Sequence, residues 1–200
     1  MDLAADPQLP LWLKLACSAF VAVLVPVYYR QWGPGNFLWF SDIALFGTVL
    51  ALWLESSLLT SMMALAVLLP EVVWNVDFFG RLLTGRSQGG LSAYMFDAAK
   101  PRYVRALSLF HVVLPPLLLW LVYVLGYAPR ALVAQTLLAW IVLPLTYRVT
   151  RREENVNWVH GLTAKPQTRI PPRVYLALLM VAFPLLIYLP THLVLQALFG

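Results

Sequence analysis

A chain of 200 residues that is 61% hydrophobic and only 12% charged has no room for a soluble domain beside its apolar segments. Its formal net charge of +5 would suit a nucleic-acid partner, but the basic residues lie within a few positions of the apolar runs, where they set topology and meet anionic lipid head groups, so no nucleic-acid partner is expected. The one cysteine, Cys17, falls inside the first apolar run, which rules out an intramolecular disulfide and suggests a buried, inert thiol.

Met1 to Pro10 carry Asp2 and Asp6 and no early positive charge, so they do not read as a cleaved signal peptide, and the first apolar run is expected to remain. Six runs follow, at about 11–29, 37–54, 58–79, 104–127, 131–147 and 174–197, each near the roughly 20 residues a helix needs to cross the hydrocarbon. The expected fold is all-α: a polytopic integral membrane protein in which residues 1–200 form a single six-helix transmembrane bundle. Twelve of the fourteen Lys and Arg residues fall on one face, in the connections 30–36, 80–103 and 148–173 or at Arg105, against Lys14 and Arg130 on the other. The positive-inside bias puts those basic loops in the cytoplasm and both termini outside.

Gly33-Pro34-Gly35-Asn36 is a turn signal with an N-cap candidate, which starts the second span at Phe37. The short steps Glu55-Ser56-Ser57 and Tyr127-Ala128-Pro129-Arg130 make antiparallel pairs of spans two with three and four with five. Between spans three and four, Gly85-Arg86-Ser87-Gln88-Gly89-Gly90 reads as a plain link, since it matches no phosphate-binding spacing, and Leu91 to Phe96 reads as a short interfacial helix. Prolines at 26, 70, 115, 116, 144, 184 and 190 should kink their helices, and the halves of the chain show no repeat of the kind that marks many carriers. Tyr28, Tyr29, Trp32, Trp53, Tyr103, Tyr127, Tyr147 and Tyr188 lie near span ends and read as interface anchors.

Ionisable groups at membrane depth are costly, so the candidate site is sought among them. Counting 1.5 Å per residue from the basic side, Asp42 lies roughly 8 Å deep, Glu71 roughly 12 Å, Asn75 roughly 6 Å and His111 roughly 10 Å. Glu71 and Asn75 share one helix face, as do Trp39 and Asp42. Asp77 points away from the Glu71 stripe and is expected to reach the interface or pair with Arg81. The layer admits four readings. It is a set of interhelical contacts; or His111 is a general base oriented by Asp42 or Glu71, activating water or Ser41; or Asp42, Glu71 and His111 hold a divalent metal; or the layer carries a proton or cation. Ser41 projects about 100° from Asp42 and lacks a nucleophile-elbow context.

The string Arg151-Arg152-Glu153-Glu154-Asn155-Val156-Asn157-Trp158-Val159-His160-Gly161 lies on the same side as this layer. One reading makes it a lid or head-group clamp, with Asn157 and His160 donating hydrogen bonds and Arg151 and Arg152 facing phosphate. The other makes it an interfacial turn with solvated charges and Trp158 as an anchor.

Phe37-Leu38-Trp39-Phe40-Ser41-Asp42 and Leu109-Phe110-His111-Val112-Val113-Leu114-Pro115 resemble segments of the androgen-induced six-span hydrolases that cleave fatty-acid esters of hydroxy fatty acids. That resemblance implies a histidine in the fourth span, matched by His111, partnered by a threonine nucleophile at the start of the second. Trp39 stands at the threonine's place, with Ser41 the nearest hydroxyl. The whole chain is also similar to an uncharacterised family of bacterial membrane proteins, which implies a bacterial inner (cell) membrane. The resulting expectation is a lipid hydrolase with Asp42, Glu71, Ser41 and His111 in its chemistry and Trp39, Asn75, Asn157, His160, Arg151 and Arg152 around its substrate. A small proton- or cation-coupled carrier and a non-catalytic scaffold are the alternatives. Membrane lipid is the one partner implied; the sequence specifies neither a cofactor nor a protein partner.

Overall fold

The computed structural model describes residues 9–86, 90–163 and 166–200. All six apolar runs are helical, and no strand occurs among the described residues. The helices are α1 (Leu11–Trp32), α2 (Phe40–Leu54), α3 (Ser57–Thr84), α4 (Arg102–Leu107), α5 (Phe110–Leu125), α6 (Ala131–Val149), α7 (Pro172–Ala182) and α8 (Leu189–Phe199). Taking α4 with α5 and α7 with α8, five passages are long and apolar enough to cross a membrane, and α2 is a shorter apolar helix of 15 residues. The chain is thus a helical bundle with the build of a multi-pass membrane protein. Large apolar side chains such as Leu50, Val72, Tyr123 and Leu186 are exposed on its outside, as a bilayer solvent permits.

Three boundaries differ from the sequence expectation, each for a local reason. α2 begins at Phe40 rather than Phe37, because Pro34–Leu38 winds as a 3₁₀ turn. Asn36 does not cap it; its Nδ2 donates instead to Asp42 Oδ2 at 3.2 Å. The fourth span breaks at Ser108-Leu109, between α4 and α5. The sixth contains a π-helical turn over Phe183–Tyr188, where Pro184 cannot donate to the ladder.

α3 is the central helix, packed against α2, α5, α6 and α8. Its stop is local: Gly85 takes the left-handed conformation (φ 70°) and its N–H closes the last turn on Arg81. Beyond it, buried Asp77 accepts from the N–H groups of Gly90 and Ser92 and from the Ser92 hydroxyl, so it anchors the following loop rather than reaching the interface. Arg81 lies over the Phe96 ring, 4.8 Å from its centroid.

The end of the bundle away from the long loops is closed by polar contacts. Lys14 Nζ meets Glu55 at 2.6 Å, Tyr127 and His192 share a 2.6 Å hydrogen bond, and the Ala128 N–H donates to Ser61 at 2.9 Å. Tyr127 is therefore a buried tie rather than an interface anchor, and Tyr28 and Tyr188 are likewise buried, whereas Tyr29, Trp53 and Tyr103 stay exposed.

Candidate functional site

At the opposite end, a cavity of about 420 Å³ opens between α1, α2, α3 and the α4–α5 break, under the 150–163 loop. α3 contributes Ala66, Val67, Pro70, Glu71 and Trp74, a stripe at helical spacing. Ser41 and Asp42 come from the first turn of α2, and Ser108 and His111 flank the break that begins α5. Because α3 touches both α2 and α5, the three groups placed at one depth by the sequence also face one space.

His111 Nδ1 lies 2.8 and 3.0 Å from the two oxygens of Glu71, whose side chain is only 3% exposed. If Glu71 is ionised and the imidazole neutral, the shared proton belongs on Nδ1, which leaves Nε2 its lone pair. Nε2 makes no hydrogen bond among the described residues. The ring is held flat between Trp74, at 4.6 Å between centroids, and Phe110, at 4.1 Å, so it cannot swing away from Glu71 without unstacking.

Asn75 fixes the backbone beneath this pair. Pro115 has no N–H to offer the carbonyl four residues earlier, which belongs to His111. Asn75 Nδ2 donates to that carbonyl at 2.8 Å and to the Glu71 carbonyl at the same distance. It is a strap across α3 and α5, and it lies outside the cavity, so its expected substrate contact is corrected to a structural one.

Buried Asp42 accepts one hydrogen bond, from Asn36, on Oδ2; its Oδ1 has no partner among the described residues. Half-buried Ser41 lines the cavity. A three-ligand metal site of Asp42, Glu71 and His111 does not assemble, since no group of three His, Cys, Asp or Glu side chains able to hold a metal occurs among the described residues.

Three hydroxyls were missed by the sequence reading. Tyr28 and Ser108 share a 2.6 Å hydrogen bond, and Tyr94, from the 3₁₀ turn Ala93–Phe96, interacts with Ser108 as well. Burial holds the Tyr94 phenol well above its usual range, so it stays a neutral donor. No local signal separates Tyr28 from Tyr29, since α1 is largely exposed and positions 100° apart can both face lipid.

The 150–163 loop folds over the cavity, but not through the contacts expected of it. Asn157 lines the cavity, yet its amide is engaged with backbone: Oδ1 accepts from Phe40 N at 3.0 Å and Nδ2 donates to Leu38 O at 2.7 Å. A residue 117 positions away thus caps α2. Asn155 Nδ2 donates to the carbonyls of Gly161 and Thr163, and its Oδ1 accepts from His160 N. Trp39, expected around the substrate, lines the cavity and meets Trp158 edge to face at 5.8 Å.

His160, Arg151 and Arg152 do not line the cavity. Arg151 pairs with Glu154 at 2.8 Å on the outer side, and Arg152 is exposed, so neither faces a phosphate within. His160 packs against Tyr147, 5.0 Å between centroids, with Nε2 buried and unpartnered among the described residues. Burial, aided by the Arg152 cation, lowers its pKa. A depressed histidine stabilises the folded loop fully above the ordinary value near 6.5, and that stability is lost as the pH falls below it. Hydrogen exchange of the 155–161 amides is therefore expected to speed up between pH 7 and 5, and His160→Phe to remove the dependence.

Comparison with protein-family models, curated proteins and solved structures returns no match to the chain.

Proposed function

We propose that the chain is a membrane-embedded hydrolase that cleaves an ester of a lipid-like amphiphile, with water as nucleophile, His111 as general base and Glu71 as the residue that positions it. The observation that carries this reading is the Glu71–His111 pair, whose second ring nitrogen is unclaimed beside a cavity of about 420 Å³, a size suited to a small ligand. Nε2 accepts a proton from water as the water oxygen bonds to the ester carbonyl carbon, and the carbonyl electron pair moves onto its oxygen. The Tyr28 and Tyr94 phenols, which meet at the Ser108 hydroxyl, line the same cavity and turn from Ser108 to donate to that oxyanion. Collapse breaks the bond to the alcohol oxygen, which takes the proton back from Nε2, leaving an acid and an alcohol.

The closed polar contacts at the far end favour this one-sided site over a carrier path. The basic loops that cover the site orient it to the cytoplasm, in the inner membrane of a bacterium. Ser41 has no hydrogen bond to His111, so it is assigned no covalent role. The test is turnover of fluorogenic acyl esters, of rising chain length, by protein purified in neutral maltoside micelles. Hydrolysis that persists at more than about half the rate in Ser41→Ala is expected, by the water route. A folded wild-type protein that hydrolyses no ester in the series refutes the reading.

A further inference from the structure

The lining of the cavity is specific in charge. Among the described residues three carboxyl groups border it, Asp42, Glu71 and the Arg151-paired Glu154, and no Lys or Arg does. Of its 21 lining residues, eight are Trp, Tyr or Phe. In a chain whose basic residues crowd this end of the bundle, the absence of cations from the wall needs a physical reason.

Trp39 and Trp158 supply one. Their rings stand 5.8 Å apart with planes at 80°, so they form two walls of a corner, and both are only half-buried. Trp74 cannot share that role, because its faces are stacked on His111 and Phe78. Trp32 already has a cation, with Lys100 Nζ 4.2 Å from its ring centroid. Asp42, in the first turn of α2, follows Trp39 by three residues, and both line the cavity. It is 3% exposed, lines the cavity and has Oδ1 without a partner among the described residues. A buried carboxylate oxygen with no donor is costly unless a nearby cation offsets its charge.

We infer that the Trp39–Trp158 corner and Asp42 recognise an ammonium group, so that the site takes a cationic or choline-type amphiphile rather than an anionic one. Aromatic faces at right angles attract a quaternary ammonium through their quadrupoles, and the buried Asp42 carboxyl, whose ionised form an arriving cation favours, adds the countercharge. A fatty carboxylate or bare phosphate would meet Asp42 and Glu71, with His111, already paired to Glu71, as the one basic group among the described lining residues. The inference rests on the hydrolase reading only for the ester form of the substrate; recognition of the ammonium is a matter of binding.

The two are separated by using the His111→Gln protein, in which chemistry is disabled, for binding, and wild type for turnover. Hexanoylcholine, its uncharged isostere 3,3-dimethylbutyl hexanoate, and hexanoate are titrated calorimetrically against His111→Gln protein in neutral maltoside micelles. The choline ester is expected to bind about tenfold more tightly than the isostere, and hexanoate not to bind measurably. Asp42→Asn and Trp158→Leu, each in that background, are expected to cut the choline-to-isostere affinity ratio to threefold or less, with a melting temperature in detergent within a few degrees of the parent. Asp42→Asn keeps the size and planar shape of the side chain, and the unshifted melting temperature shows that the variant is folded. Equal affinity for the choline ester and its isostere, or measurable hexanoate binding at either strength, overturns the inference. Choline preference without turnover of either ester by wild type would sink the hydrolase reading and leave ammonium recognition standing.

Discussion

Replacing His111 with glutamine is expected to lower ester turnover by at least a hundredfold while the melting temperature in detergent stays within a few degrees of wild type. General-base catalysis contributes on the order of 10²–10⁴ in rate, and glutamine keeps a planar side chain between Trp74 and Phe110. Glu71→Gln is expected to cost a similar factor by another route. The carboxylate both selects the Nδ1–H tautomer and stabilises the imidazolium that forms, and an amide can do neither reliably. Since the two residues act as one unit, the double variant should be scarcely slower than His111→Gln alone. Rates from purified variants decide this. Additive losses would mean that Glu71 and His111 work separately, and wild-type turnover in His111→Gln would remove the imidazole from the mechanism altogether.

The second large effect is structural and lies far from Glu71 in sequence. Asn157→Ala is expected to lower stability by about 2–6 kcal/mol, since it strips a buried acceptor from the Phe40 N–H and a donor from the Leu38 carbonyl, at roughly 1–3 kcal/mol each. At roughly 2–4 °C per kcal/mol for a chain of this length, that is a fall of about 4–24 °C in Tm. Part of the loss could come from backbone instead, because Asn157 sits at φ 51°, a left-handed conformation that asparagine tolerates better than alanine. Asn157→Gly separates the two: it accepts that conformation but lacks the amide. If the clamp dominates, glycine should be nearly as damaging as alanine; a glycine variant as stable as wild type would assign the effect to strain. Because the clamp sets where α2 begins, both variants should also loosen Ser41 and Asp42, seen as faster hydrogen exchange at residues 40–44.

The site was legible in one coordinate and hidden in another. Rise per residue placed Asp42, Glu71 and His111 at one depth before any contact was known, because depth along a helix follows from counting. Azimuth does not. In a membrane bundle the lipid-facing and core-facing positions are equally apolar, so no hydrophobic stripe marks which face turns inward, and Tyr28 was indistinguishable from Tyr29. The loop shows the same limit. Its unusual asparagines were visible, but their partners at residues 38 and 40 lie beyond any local pattern, and Arg151 and Arg152 turn outward because Glu154 and solvent satisfy them there.

By itself, then, the sequence determined a helical chain of six apolar passages, the clustering of its basic residues at one end, and the depth of its ionisable groups; these depend on composition, segment length and helical rise. Only the tertiary structure decided that α3 lies at the centre, that Glu71 meets His111, that Asn75 repairs the carbonyl freed by Pro115, and that the described residues of the cavity wall include carboxyl groups and indoles but no Lys or Arg. Those outcomes turn on which helices pack together and at what rotation, and that is set by close packing and a few long-range hydrogen bonds rather than by any periodicity in the chain.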